Sequence, residues 1–310
     1  MTPQRDAHGF TIIELLITMV LGVAIVGALL AFTTSTMRNL EANRSTEEIS
    51  RSARFLGMTL ERDLQETGVS LESTPQFGSL AAIGDTLVTL HIPYEPAPPV
   101  VHALVPPGGT GNPLAPGGTC GATCVTVDVG SSWDLAVGDL ARLQVNGERR
   151  LILVEAVSVS GSEAQVTFTS DTELLGHPAG FGGGLLLDRF NTFVQKVAMT
   201  AYYKQGDQLM RADRLTSAAA PDGEALIHGL RSWETVLVFV DGDEADEANP
   251  TDSDPSNDYD DLIGIRIMAE LASDHPMKRD SAAYALEPSR SFEWRFAPRN
   301  LAYERNRLGN

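Results

Sequence analysis

From Phe10 to Phe32 the chain runs 23 residues with one charged side chain, Glu14. At about 1.5 Å per residue, a helix of that length crosses a hydrocarbon core of roughly 30 Å. The segment therefore predicts a membrane span. A cleaved secretory signal needs a basic n-region, a shorter apolar stretch and a small-residue cleavage site. Here the flank has only Arg5, offset by Asp6, and the apolar run is long. A helix buried in a soluble core is rarely so long and so uniformly apolar. An ordinary single-pass anchor fits the length but gives Glu14 no purpose, because an ionised side chain at membrane depth costs on the order of 2.5–3.5 kcal/mol.

The helical pattern continues beyond Phe32. Ile49, Ala53, Leu56, Leu60 and Leu64 recur at helical spacing and form one apolar face, while Arg44, Glu47, Glu48, Arg51, Arg54, Glu61 and Arg62 lie mainly off it. No proline interrupts Phe10 to Gly68, and Gly68 is a plausible stop. One helix of about 58 residues, roughly 87 Å long, is expected, with Gly22, Gly27 and Gly57 as places where it could loosen. Its second half either packs on a globular head or pairs with another chain as a coiled coil; the head that follows favours the first.

The stretch "GFTIIE" sets Gly9, Phe10 and Glu14 ahead of an apolar helix. This resembles the prepilin signal of type IV pilins and type II secretion pseudopilins, in which a cleavage glycine precedes phenylalanine and glutamate is the fifth residue of the mature chain. The resemblance implies cleavage between Gly9 and Phe10 by a membrane prepilin peptidase, N-methylation of Phe10, and an assembly role for Glu14 against the terminal amine of a neighbouring subunit. A buried carboxylate needs such a partner, and a carboxylate near a helix start is favoured by the helix dipole. It also implies insertion in the inner membrane with the head in the periplasm, later display on a pilus at the cell surface, and contact with other pilins and an inner-membrane assembly platform. The leader "MTPQRDAHG" is less basic than is common in the family, so the positive-inside signal is weak.

After Gly68 the pattern turns to strands: Thr86–Ile92, Cys124–Val129, Asp139–Val145, Arg149–Ser160 and Glu163–Ser170, with a hairpin turn at Gly161-Ser162. Thr192–Asp213 reads as two strands around Gly206-Asp207; Ser232–Asp241, Asp261–Ala272 and Arg290–Leu301 follow, with a loop between Ala272 and Glu287. Pro93–Thr119 holds eight prolines and five glycines, which excludes a regular central strand and predicts an exposed loop. The expected fold is α+β: a leader at 1–9, a membrane and filament-core helix at 10–33, its amphipathic continuation at 34–68, and a β-rich head at 69–310. From Asp139 to Asn300 the head loosely resembles the PilW-like minor pilins, related to the J-type pseudopilins, and its size suits a minor subunit at or near a filament tip.

Chemistry is sparse. No G-x-S-x-G, H-E-x-x-H or G-x-x-x-x-G-K-[ST] motif occurs. His8, His91, His102, His177, His228 and His275 are scattered, and "GFGGG" at Gly180–Gly184 reads as a loop, so no enzymatic activity is expected. A net charge of −18 opposes general nucleic-acid binding. Cys120 and Cys124 cannot close a four-ligand zinc site; they bridge in an oxidising compartment or stay as thiols in a reducing one. Asp241–Asp261 holds ten carboxylates and no Lys or Arg. It reads as a solvated loop or, through Asp241, Asp243, Asp246, Asp252, Asp254, Asp258 and Asp260, as a calcium site without the EF-hand pattern. A structural subunit of a type IV pilus is the leading expectation. A secretion pseudopilin, a DNA-uptake pilus subunit, and an adhesin or calcium-dependent binding module carried on a pilus are the alternatives.

Overall fold

The computed structural model describes residues 11–94, 97–105, 123–130, 132–145, 148–169, 192–217, 220–250, 252–273 and 289–301. Helix α1 spans Ile12–Glu66, 55 residues and about 82 Å. It is a single helix through Gly22, Gly27 and Gly57. Just beyond its end Gly68 takes φ +76°, a left-handed conformation that favours glycine, and its N–H donates to the Leu90 carbonyl at 2.9 Å. The expected apolar face is the buried face: Ile49, Ala53, Leu56, Leu60 and Leu64 are all almost fully covered.

Among the described residues the head forms three antiparallel sheets. The first orders β1 (Leu80–Ile83), β2 (Thr86–His91), β9 (Ala198–Gln205), β10 (Gln208–Ser217) and β11 (Ala220–His228). The second orders β13 (Glu244–Ala245), β12 (Leu230–Phe239), β14 (Leu262–Ala272) and β15 (Ser289–Phe296). These two sheets and the second half of α1 share one core, in which Leu56, Leu60, Phe77, Leu87, Tyr202, Leu237 and Ile267 are buried. The third sheet orders β3 (Val101–Ala103), β8 (Thr192–Lys196), β5 (Leu140–Val145), β6 (Glu148–Ser160), β7 (Glu163–Thr169) and β4 (Cys124–Asp128).

That third sheet curls until its two edges meet. Leu104 bridges Val127, and the Val105 N–H donates to the Thr126 carbonyl at 2.8 Å. The result is a six-stranded barrel filled by Val127, Leu143, Val145, Ile152, Val166 and Val194, so it is a packed core and not a channel. The barrel is inserted between β2 and β9, which pair directly with His91 opposite Ala198. Its outer wall is not free: Leu140, Leu151 and Leu153 point from β5 and β6 into the first core. Every residue of β5 is therefore buried, because both of its faces are covered. Arg149 adds a clamp, donating to the Glu72 carboxylate and carbonyl at 2.8 and 2.7 Å.

Two sequence expectations change. The Pro/Gly stretch is not wholly a loop, since Val101–Ala103 forms β3. β3 lies at a sheet margin, where prolines nearby do not break a central ladder. Thr192–Asp213 makes three strands and not two. The Gly206-Asp207 hairpin holds, but the chain leaves the barrel at Val197, so β8 belongs to the barrel and β9 to the first sheet. The expected loop between Ala272 and Glu287 lies almost entirely outside the described residues.

The head grips α1 through polar contacts as well as apolar ones. Asp63 is buried in the helix face and accepts hydrogen bonds from Tyr202 Oη at 2.6 Å, Arg211 Nε at 2.7 Å and Arg62 Nε at 3.2 Å. Farther along α1, Ser273 Oγ donates to Glu48 at 2.6 Å. Asn300 Nδ2 donates to the Gln65 and Thr67 carbonyls at 3.2 and 3.0 Å, which satisfies groups that a helix end otherwise leaves open. Trp294 of β15 lies directly on Gly57, and a Cβ there would sit 2.7 Å from the indole nitrogen.

This last contact fixes the sign of a substitution. Gly57→Ala gains about 1 kcal/mol of helix propensity, but it collides with a ring wedged against the core, at roughly 1–3 kcal/mol. Net destabilisation in a thermal melt of the detergent-solubilised chain is expected, and a stabilised variant would contradict the packing. Asp63 gives a second expectation. Burial raises its carboxyl, but the bonds from Arg211 and Tyr202 outweigh this and hold it below its ordinary 3.8. A carboxyl depressed in the folded state stabilises fully above the unfolded value and loses this as pH falls through the folded one. The wild-type head is expected to weaken below about pH 3.8, and Asp63→Asn to remove that acid limb. At neutral pH the variant should cost roughly 2–3 kcal/mol, less than a fully buried pair because Arg211 keeps some water access.

Candidate functional site: the membrane half of the helix and the acidic loop

Along α1 no side chain from Thr11 to Arg44 is buried. Sixteen large apolar side chains between Ile12 and Leu40 are 52–82% exposed. Each gains roughly 1.5–3 kcal/mol on leaving water, so the segment as a whole is worth tens of kcal/mol in a bilayer or against other helices. The 18-residue window of highest hydropathy is long and apolar enough to cross a membrane, and none of it is covered by the head.

Glu14 sits in the first turn of this exposed half. Thr11 is the N-cap: its Oγ1 accepts from the Glu14 N–H at 3.3 Å. Glu14 Oε2 in turn accepts from the Thr11 N–H at 3.0 Å and from Thr11 Oγ1 at 3.1 Å. This reciprocal capping box fixes where the helix starts and sets a carboxylate at the positive end of the helix dipole. Both bonds go to Oε2, so among the described residues Oε1 remains to accept from a group outside the chain. Sequence reasoning singled out Glu14 but missed Thr11, although the T-x-x-E spacing was legible in "TIIE". Gly9 and Phe10, where cleavage and methylation are expected, lie outside the described residues.

In the head, the described histidines are tied into structure. His102 is buried, with Nδ1 3.0 Å from the Asp128 carbonyl, Nε2 2.8 Å from Asp134 Oδ1, and the Trp133 ring tilted against it at 4.7 Å between centroids. His91 lies 3.6 Å from Glu66 and His228 3.1 Å from Gln208. His8, His177, His275 and the Gly180–Gly184 run lie outside the described residues. Cys124 opens β4 and is disulfide-bonded; Cys120 lies outside the described residues.

The acidic loop is scaffolded by its own carboxylates. Asp241 accepts from the Asp243 N–H, Asp252 from the Asp254 N–H and the Asn257 amide, and Asp254 from the N–H and Oγ of Ser256. These are side-chain turns of the kind aspartate favours. Ser256 holds the Asp254 carboxyl below its ordinary value. Tyr259 pins the end of the loop: its ring packs on Gly78 and its N–H donates to the Pro75 carbonyl. Beside it, Asp258, Asp260 and Asp261 bring carboxylate oxygens within 4.8 Å of one another. Partial burial, then Asp260, Asp261, Asp252 and Asp254, push the Asp258 carboxyl up. Asp241, Asp243, Asp246, Asp252 and Asp254 are not part of this grouping, and Asp261 joins it without having been singled out.

A family model described as the prokaryotic N-terminal methylation motif matches residues 4–30. The match spans Gly9, Phe10, Glu14 and most of the apolar run. No curated protein and no solved structure matches the chain.

Proposed function

We propose that this chain, which carries a type IV pilin-like prepilin signal and so is a pilin- or pseudopilin-type substrate of prepilin peptidase, acts as a minor pilin-like structural subunit of a bacterial type IV pilus. The observation that carries the reading is the methylation motif coinciding with a capped helix whose membrane half is entirely uncovered. In this account the peptidase cuts between Gly9 and Phe10, and Phe10 is N-methylated. The head stands in the periplasm while α1 is anchored in the inner membrane, and the subunit then passes through the assembly platform to the pilus. Glu14 costs a few kcal/mol in the membrane, small against the tens that hold the helix there. The anchor therefore tolerates Glu14 without needing it. A neighbour's terminal amine at Oε1 gives the carboxylate a partner and sets the stagger between helices. The 310-residue length and the inserted barrel suit a minor subunit more than a repeating shaft subunit. A J-type secretion pseudopilin or a DNA-uptake pilus subunit uses the same pathway; neighbouring genes would discriminate.

A Glu14→Ala variant tests the assembly role. It is expected to be cleaved normally yet to be depleted from sheared filaments by tenfold or more, as expected when a buried partner worth about 1.4 kcal/mol or more is lost. Normal incorporation would reduce Glu14 to a helix cap.

The Asp258, Asp260 and Asp261 grouping favours a second reading, a calcium-dependent contact surface displayed on the pilus. Calcium at about 1 mM, in the range of extracellular modules, should slow proteolysis within residues 241–261, and a chelator should reverse this. Equal digestion under both conditions leaves these aspartates with their turn-forming role alone.

A further inference from the structure

The barrel has one weak seam. Around its wall β4 pairs with β7 along its whole length, β5 with β6 over all of β5, and β8 with β5 over all of β8. Where β3 meets β4, the backbone among the described residues supplies the Leu104–Val127 bridge and the bond from the Val105 N–H to the Thr126 carbonyl. β3 itself is three residues long.

His102, the middle residue of β3, crosses this seam with its side chain. Its ladder partner is Val194, so the ring lies on the inner face of the barrel with Val194 and Leu104. Nδ1 is 3.0 Å from the carbonyl of Asp128, the last residue of β4. Nε2 is 2.8 Å from Oδ1 of Asp134, whose Oδ2 accepts from the Val100 N–H at 2.7 Å just ahead of β3. One imidazole and one carboxylate therefore tie the start and middle of β3 to the end of β4 and the segment that follows it.

Both ring nitrogens face acceptors. A carbonyl oxygen has no hydrogen to give, so Nδ1 carries one. A bare Nε2 lone pair at 2.8 Å from a carboxylate oxygen would repel it, so a second hydrogen lies between Nε2 and Oδ1. The His102 side chain is fully covered, with Trp133 against it, while Asp134 keeps 28% exposure and so a path to water. The other described charged groups around the ring are committed elsewhere. The Asp128 carboxylate accepts from the Gly130 N–H, and Lys196 of β8 is paired with Asp139 at 2.8 Å. Arg150 of β6 is turned to the same inner face, three strands around the wall, and a guanidinium does not release its proton.

We propose that the hydrogen between His102 and Asp134 is a latch on the barrel: while it is bound β3 stays closed on β4, and its loss at alkaline pH parts β3 from Asp128 and Asp134 and opens the barrel along its weakest line. β4 is held by β7 and by the disulfide at Cys124, so β3 is the side that moves. The proton belongs to the closed form, so closure is complete on the acid side and is lost as pH rises. The device does not depend on the filament reading.

Hydrogen–deuterium exchange of the full chain in detergent micelles tests it, read by mass spectrometry at about pH 6 and about pH 9, on either side of the range in which histidine changes charge, and corrected for the intrinsic pH dependence of exchange. Protection of residues 98–105 should fall about tenfold or more on the alkaline side, as expected when a hydrogen bond to a charged group is lost, while residues 140–154 keep theirs. Asp134→Asn can donate from its amide to a neutral Nε2, so it should keep the seam closed and abolish the difference between the two pH values. His102→Gln, with no proton to release, should also behave alike at both. Wild-type protection of 98–105 that does not change with pH overturns the latch, and so does a wild-type-sized change retained in either variant.

Discussion

The apolar surface of α1 is covered by its own head only from Ser45 onward. Below that point the helix continues without a break and without cover, through side chains that cannot remain in water. This unequal cover governs the rest of the molecule. The lower half requires lipid or other helices. The upper half must be held firmly enough that a head of more than 240 residues follows wherever the helix is placed.

The grip is built accordingly. Leu56, Leu60 and Leu64 supply the apolar seam, and buried polar groups fix its register. Asp63 is the central one, because it faces Tyr202 and Arg211 from two adjacent strands of the first sheet. A helix shifted by one residue would strand that carboxylate away from both donors. Asn300 holds the helix end from the C-terminal side, and Trp294 fills the notch at Gly57. The barrel rides on the same assembly. Leu140, Leu151 and Leu153 belong to the barrel strands by sequence and to the helix core by packing, so the insert is fused to the head and not tethered to it.

Much of this was legible in the residues. The helical face from Ile49 to Leu64, the stop at Gly68, the hairpins at Gly161 and Gly206, and the uncovered membrane half all follow from local periodicity and turn chemistry. The strands that escaped notice are those that pairing creates. β11 begins Ala-Pro-Asp-Gly-Glu, a sequence that reads as a turn and becomes a strand because β10 lies beside it. β1 is Leu-Ala-Ala-Ile, with no polar alternation, because it is almost wholly buried. β3 survives in a proline-rich stretch because it is short and marginal, held by β8 and by the Leu104–Val127 closure. That closure joins residues 23 positions apart, and no local pattern encodes it. At the N-terminus the signal around Glu14 was plain, and Thr11 was overlooked although it lies within the same six residues. In the acidic loop the density of carboxylates was evident, but which three converge depends on how Tyr259 anchors the chain.

The central claim is that the chain enters the pilin pathway, with Phe10 as its working terminus. The most direct measurement is the intact mass and N-terminal sequence of the protein purified from cells that also express an active prepilin peptidase. The account predicts a chain that begins at Phe10 and carries the mass of one added methyl group. A chain that keeps Met1 to Gly9 beside an active peptidase would contradict it, and the capped glutamate at the head of the membrane helix would then need another explanation.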